Sequence, residues 1–296
     1  MRVVDDFSNA PYPTVLKRAN EEALRHGFGS SFDVLTGCIS DPALAARAAA
    51  GTDGILHLAG LAGVRPSFAE PARYAKVNIE GTANLLDAAQ RAGHDLFVFA
   101  SSSSVYGNAT PLPAKEDAPA IVPESPYASS KRGAELIVSA MLRKTPKLRC
   151  PSLRFFTVYG PRQRPEMAIT TFLRAILAGQ PITLFGDGSM RRDFTHVDDI
   201  VRGVIAAADR APEGFRVYNL GSGAPITLTD LVTAMGQAAG RAPQVRHEGI
   251  PLGDVDATFA DISRARQELA WSPRVTLAEG LETVVAWLSA ESSPSR

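Results

Sequence analysis

A chain of 296 residues has room for one large α/β domain or two smaller lobes at the usual ~100 to 150 residues per domain. Thirty-one basic side chains balance 31 acidic ones, which excludes the basic footprint of a general nucleic-acid binder or a polybasic membrane-surface protein. With 45% hydrophobic and 21% charged residues the composition is that of an ordinary globular protein, and no apolar run approaches the ~18 residues of a membrane helix.

The chain opens MRVVDDFSNAPYP, with Asp5 and Asp6 where a secretory leader would carry a basic flank and an apolar run. Its two cysteines, Cys38 and Cys150, cannot form a disulfide framework, so the sequence reads as cytoplasmic. Short β-branched runs then alternate with alanine- and leucine-rich stretches, the pattern of a parallel sheet with helices on its faces. Arg2 to Asp5 is the first strand. Asp41 and Pro42 are an N-cap and first-turn pair opening a helix through about Ala50, and GILHL at Gly54 to Leu58 reads as a buried strand. One long helix ending near Arg91 follows, then a strand at Leu96 to Ser101, a helix at Ala128 to Met141 and a strand at Arg149 to Phe156. The first half is therefore expected to be one doubly wound sheet.

Beyond Tyr159 the texture changes, because Gly160, Pro161, Pro165 and the turn-like FGDGS at Phe185 to Ser189 interrupt any long periodicity. A second lobe is placed there. Val197 to Ala208 and Val217 to Leu220 return to the sheet as a helix and a strand, while Leu228 to Ala239, Ser263 to Leu269 and Leu277 to Leu288 are short helices of the smaller lobe. No internal repeat is present.

Two features carry chemistry. Tyr127 and Lys131, in YASSK, stand at i and i+4, so both share one helix face. Bringing a phenol from its ordinary pKa to about 7 takes roughly 4 kcal/mol, which a nearby ammonium in a water-poor cleft can supply together with a cofactor's positive charge. The serine run Ser101 to Ser104 ends a strand, and the carboxyl ends of strands are where doubly wound sheets bind ligands. A hydroxyl there either faces the tyrosine or caps its own backbone. The five histidines show no metal-ligand spacing, and His57 and His196 read as interior residues. No metal is expected.

The ordered set HLAG (His57 to Gly60), VNIEGT (Val77 to Thr82), SSSSVYG (Ser101 to Gly107), YASSK, LRFFTVYGPRQRP (Leu153 to Pro165) and RRDFTHVDDI (Arg191 to Ile200) resembles the extended short-chain dehydrogenase/reductase family. Within it the likeness is strongest to the nucleotide-sugar 4-epimerases, particularly those of UDP-glucuronate. The resemblance implies a Rossmann-type doubly wound parallel sheet with a smaller C-terminal α/β substrate lobe, NAD as cofactor, a UDP-sugar as substrate and a homodimer built through the helices around Arg91 and Ala128 to Met141. It implies a dinucleotide-binding part at 1–160, also receiving about 194–221, and a nucleotide-sugar lobe at 161–193 and 222–296. No nucleic acid or membrane partner is implied.

By the same resemblance Tyr127 is the general base, Lys131 the residue that lowers its pKa and holds the nicotinamide ribose, and Ser102 the hydroxyl that bonds the reacting sugar oxygen, with Ser103 and Ser104 as neighbours a serine run cannot distinguish by register. Asp5 matches the acid that binds the adenine ribose. Asp6, Ser8 and Asn9 beside it, Leu58, Ala59, Gly60 and Leu61, Asn78 and Phe156 line the dinucleotide. Ser103, Ser104, Thr157, Arg164, Arg192 and Asp254 are the expected substrate contacts. Arg192 corresponds to an arginine reaching the diphosphate. Related dehydratases carry an acidic pair before VYG; here Ser103 and Ser104 stand there, which disfavours elimination. Arg164 matches the arginine that uronate epimerases aim at the sugar carboxylate, with a solvated loop arginine as its alternative.

One departure is plain. The family opens with a strand, a G-x-x-G-x-x-G turn and a helix that binds the pyrophosphate, whereas this chain starts at what corresponds to the second strand. GFGS at Gly27 has no preceding strand, NLGSG at Asn219 to Gly223 reads as a turn, and Cys38 stands where an aspartate is usual. The sequence therefore predicts weak NAD binding and unpaired strand edges for the chain as it stands. Two functional readings follow: an NAD-dependent 4-epimerase of a UDP-sugar, a hexuronate ahead of UDP-glucose, or a truncated homologue that binds a nucleotide sugar without turning it over.

Overall fold

The computed structural model describes residues 1–8, 12–249 and 256–291, so the expected contacts Asn9 and Asp254 lie outside the described residues. The chain divides into two compact units, one of Met1–Gly107, Ala120–Leu153 and Ala207–Val217, the other of Asn108–Pro119, Arg154–Ala206 and Tyr218–Arg296.

In the first unit β1 (Arg2–Asp5) pairs in parallel with β2 (Asp33–Thr36), Arg2 opposite Asp33 and Asp5 opposite Thr36. Helix α1 (Thr14–Phe28) connects them. It is not among the expected elements, although Leu16, Ala19, Ala23 and Leu24 recur at helical spacing; it buries no residue fully. Arg18 and Arg25 instead pair with Glu21, and the Arg18 guanidinium lies 3.5 Å from the Phe7 ring centroid. Helix α2 (Pro42–Ala49) starts as expected, Asp41 accepting a hydrogen bond from Ala43 N at 2.9 Å.

The second sheet of this unit carries β3 (Gly54–His57), β4 (Leu96–Ser102), β5 (Arg149–Phe155) and β10 (Gly214–Leu220) in the order β10-β5-β4-β3. Strand β3 runs parallel to β4 with Gly54 opposite Leu96 and His57 opposite Phe99. The parallel sheet with flanking helices is present as expected, with β1-β2 and the four-stranded sheet as separate hydrogen-bonded pieces. One expectation is corrected here: GILHL is not a buried strand, since among the described residues β3 has a partner on one side only, and Leu56 and Leu58 are 51% and 57% exposed.

The long helix before Arg91 is also broken. It runs as α3 (Val64–Ala69), α4 (Pro71–Tyr74), a π turn (Ala75–Glu80) and α5 (Gly81–Ala92), the first break falling where Pro71 has no N–H to give. Helix α6 (Pro126–Met141) is capped by Ser125, whose hydroxyl accepts from Ala128 N at 3.2 Å. Leu86, Ala89, Phe97, Phe99, Ala134 and Val138 form the centre of the core that joins α5 and α6 to the sheet.

The second unit holds β6 (Thr157–Tyr159) parallel to β9 (Phe194–His196), β7 (Ile182–Phe185) parallel to β12 (Val245–Glu248), and β8 (Arg191–Arg192) antiparallel to β11 (Ile226–Thr227). Helices α7 (Ala168–Ala178), α8 (Val197–Arg210), α9 (Leu228–Ala239), α10 (Ser263–Leu269) and α11 (Leu277–Glu291) complete it, α8 ending among residues of the first unit. Ile169, Leu173, Ile176, Leu231, Met235 and Val284 are buried at its centre. Helix α7, just past Pro165, is likewise not among the expected elements, although its buried Ile169, Leu173 and Ile176 recur at helical spacing. Helices α9 and α10 have the expected bounds.

Candidate active site

The Ser125 cap and Pro126 start α6 so that Tyr127 lies in its first turn and Lys131 one turn on, along the same face. Tyr127 is half-buried, its ring edge-on to Tyr74 with centroids 6.3 Å apart. Lys131 is only 6% exposed. Its ammonium donates to Ala100 O at 2.8 Å and lies 5.4 Å from the Phe99 ring centroid. Burial pulls its pKa down to about 8, against the charge of Glu135, which raises it. The lysine therefore keeps its proton over most of the neutral range.

Ser102 ends β4 and is buried. Its hydroxyl accepts from Ser104 N at 3.2 Å and donates to Ser104 Oγ at 3.1 Å, capping the 3-10 turn Ser103–Tyr106. Ser103 and Ser104 sit half-buried in that turn. The turn closes on Gly107, φ +62°, where a Cβ would run into Val122 O.

The Leu58–Leu61 segment leaves β3 and is held by Asn78, which the π turn places in the interior. Asn78 Oδ1 accepts from Leu61 N at 2.8 Å, and its Nδ2 donates to Leu61 O and Ser130 Oγ, each at 2.9 Å. A Cβ on Gly60 would lie 3.4 Å from Lys131 Nζ, so the backbone of Ala59 and Gly60 passes close to the ammonium. The side chain of Asn78 thus serves to shape this segment. His57 ends β3, bonded to Thr82 Oγ1 at 2.9 Å; burial, with the charge of Lys131 second, lowers its pKa to about 3.

Asp5 and Asp6 lie at the carboxyl end of β1. Their Oδ1 atoms accept from Phe7 N at 2.7 Å and Ser8 N at 2.9 Å, and Lys17 Nζ is 3.9 Å and 4.0 Å from them.

In the second unit, Phe156 is buried with its amide bonded to Leu220 O at 3.0 Å, and half-buried Thr157 gives its amide to Asp193 O at 3.0 Å. Arg164 pairs with Glu166 Oε1 at 2.9 Å and reaches Met167 Sδ at 3.3 Å. Arg192 Nη1 donates to Arg191 O at 3.0 Å and Asp256 O at 3.2 Å. Sequence reasoning missed the fully buried Asp193, although it stands inside the RRDF motif. Asp193 Oδ1 accepts from Ser222 N at 2.6 Å and Ser222 Oγ at 2.7 Å, and Oδ2 from Ala260 N at 3.0 Å and Gly223 N at 3.1 Å. The NLGSG turn therefore turns amides toward a carboxylate of the chain itself, and it is a turn rather than a phosphate cradle. Among the described residues no group of three His, Cys, Asp or Glu side chains is placed to hold a metal ion, and no helix is long and apolar enough to cross a membrane.

The pattern of the NAD dependent epimerase/dehydratase family matches residues 3–221. The chain belongs to that family. It is 41% identical over 234 residues to a UDP-glucuronate 4-epimerase of Thermodesulfobacterium geofontis, covering 79% of this chain and 71% of that protein. It is 37% identical over 303 residues to UDP-glucuronate 4-epimerase 5 of Arabidopsis thaliana, covering 96% and 68%. Its fold superposes with a TM-score of 0.88 on the UDP-glucuronic acid 4-epimerase of Bacillus cereus, solved with UDP-glucuronic acid and NAD, at 32% identity over 98% of this chain and 91% of that one.

The family's cofactor is NAD, and polar groups stand near the carboxyl ends of β1 and β3. Lys131 offers an ammonium beside the Ala59–Gly60 backbone, and Asp5 offers a carboxylate at the end of β1. For the pyrophosphate the Asn219–Gly223 turn is no substitute, since Asp193 already takes its amides.

Proposed function

We propose that this protein is an NAD-dependent 4-epimerase of a UDP-sugar, with UDP-glucuronate as the substrate. The observation that carries the reading is the buried, charged Lys131 one turn from Tyr127 on a capped helix, at the strand end that carries Ser102. NAD, when bound, supplies a reversible hydride acceptor. Tyr127 takes the proton from the sugar's C4 hydroxyl as the C4 hydride leaves, and gives it back when the hydride has returned to the other face of the turned sugar, so no net oxidation results. The Lys131 ammonium stabilises the phenolate this requires. Ser102 bonds the reacting oxygen, and Asn78 holds the Leu58–Leu61 segment along the cofactor.

Ser103 and Ser104 leave no acid at the place where elimination would need one. In the second unit Arg192, Thr157 and Phe156 serve the nucleotide sugar and the nicotinamide end, and Arg164 grips the uronate carboxylate. That grip matters chemically, because the 4-keto uronate is a β-keto acid prone to lose carbon dioxide. Exposed apolar side chains, Phe68 on α3 and Leu136 on α6, support a homodimer through these helices, and a monomer by light scattering at micromolar concentration would exclude it. The free cysteines Cys38 and Cys150 suit a reducing cytoplasm.

Proton NMR of UDP-glucuronate incubated with the protein and a large excess of NAD, which offsets the weak NAD binding expected of the chain as it stands, tests the activity. The anomeric signal of the 4-epimer, UDP-galacturonate, is expected to grow to equilibrium. Turnover of UDP-glucose with none of UDP-glucuronate overturns the choice of substrate, and turnover of neither overturns the activity.

A further inference from the structure

Glu135 is fully buried on α6, and the proposed reaction makes no use of it. Its Oε1 accepts from Ser101 Oγ at 2.6 Å and its Oε2 from Arg132 Nη1 at 2.9 Å. Both oxygens accept, as in a carboxylate, and taking such a group out of water is costly unless it is paired and bonded. Four residues separate it from Lys131, so Tyr127, Lys131 and Glu135 follow one another down a single helix face. The two buried side chains hold consecutive residues of β4: Lys131 donates to Ala100 O, and Glu135 receives the hydroxyl of Ser101, next to Ser102.

We propose that Glu135 is a positioning residue whose negative charge keeps the buried Lys131 in its ammonium form, and so available to the Tyr127 phenol. The inference rests on the roles proposed above for Tyr127 and Lys131. An ammonium taken out of water tends to give up its proton. The groups that face it from the surrounding elements do little to prevent this. His57 on β3 is neutral, Ser101 on β4 and Asn78 in the π turn are uncharged, and Tyr74 on α4 donates its hydroxyl to Ala62 O at 2.9 Å. Arg132 adds a positive charge and shares the Glu135 carboxylate. Glu135 acts in the opposite sense, raising the pKa that burial lowers.

The test reads Lys131 directly. The full chain, labelled with carbon-13 at the lysine side chains, is titrated by NMR, with the Lys131 signal assigned by its loss in Lys131→Met. Glu135→Gln keeps the volume and an acceptor for Ser101 but removes the charge. It is expected to lower the Lys131 titration midpoint by about 1 to 3 pH units, the size of effect an adjacent opposite charge has. Ser101→Ala breaks the hydrogen bond but leaves the carboxylate, and is expected to move the midpoint much less. An unmoved midpoint in Glu135→Gln overturns the proposal, as does an equal shift in both variants, which would mean that strand placement rather than charge is at work. If Glu135→Gln fails to fold by circular dichroism, Arg132→Gln decides. Removing the guanidinium that shares the carboxylate is expected to raise the midpoint, and no rise overturns the proposal. The titration needs neither NAD nor a nucleotide sugar, so a protein that does not epimerise would overturn the function while leaving this result readable.

Discussion

Tyr127 gains its reactivity from its position, since a phenol in the first turn of α6 shares a face with an ammonium that has been stripped of water. Tyr127→Phe removes the proton-accepting oxygen and keeps the ring against Tyr74. It is expected to cut turnover by about 10² to 10⁴, the usual contribution of a general base, while NAD binding measured by calorimetry stays unchanged. Near-normal turnover would remove Tyr127 from the chemistry. Arg164 already holds a carboxylate, that of Glu166, and a fork of guanidinium donors holds a sugar carboxylate in the same way. Arg164→Ala should therefore cost UDP-glucuronate about ten- to a hundredfold more in kcat/KM than UDP-glucose, corresponding to roughly 1.5 to 3 kcal/mol for a charge-assisted contact. Equal losses for the two sugars would return Arg164 to the role of a loop arginine.

At the level of elements, the turn after β10 depends on a side chain from elsewhere in the chain. Asp193 takes the amides of Ser222, Gly223 and Ala260, tying the segment after β8 to the start of β11 and to the stretch before α10. Asp193→Ala takes the acceptor from the buried amide of Ala260 and the half-buried amides of Ser222 and Gly223, at about 1 to 3 kcal/mol for each donor left unpaired out of water. A loss of at least about 3 kcal/mol in urea denaturation is expected, and a loss below 1 kcal/mol would show that the turn holds itself. Helix α6 is secured locally, through Ser125 and Pro126 at its start and through Lys131 and Glu135 to β4. Among the described residues strand β3 is paired on one side, with Leu56 in it and Leu58 just beyond it facing water.

For the whole molecule, pH acts through His57. Its folded pKa of about 3 lies below the ordinary 6.5, so the folded protein refuses a proton that the unfolded chain accepts. The fold carries no penalty above pH 6.5, and stability declines as pH falls from 6.5 toward 3, by up to about 1.4 kcal/mol per pH unit from this group. Urea midpoints measured from pH 7 to pH 4 should fall, and His57→Gln should flatten that fall. An unchanged slope in the variant would mean that His57 is not the group responsible.

Much of the chemistry could be read from residue order, because it depends on local geometry. The i, i+4 spacing of Tyr127 and Lys131 follows from helix pitch, the Asp41–Pro42 pair and the periodicity of α9 and α10 mark helices within a few residues, and the six ordered motifs point to the family that the comparisons then show. Helices α1 and α7 also carry apolar residues at helical spacing, Leu16, Ala19 and Ala23 in one and Ile169, Leu173 and Ile176 in the other, so both were legible in residue order although neither was among the expected elements. The outward-facing Leu56 of β3 and the π turn that points Asn78 inward emerge only when the chain has folded. So do the buried pairings of Glu135 with Ser101, 34 residues away, and of Asp193 with Ala260, 67 residues away. Contacts of that kind arise when packing fixes the register between distant segments. No spacing along the chain encodes that register, because the partners become neighbours only once the hydrophobic cores close around them.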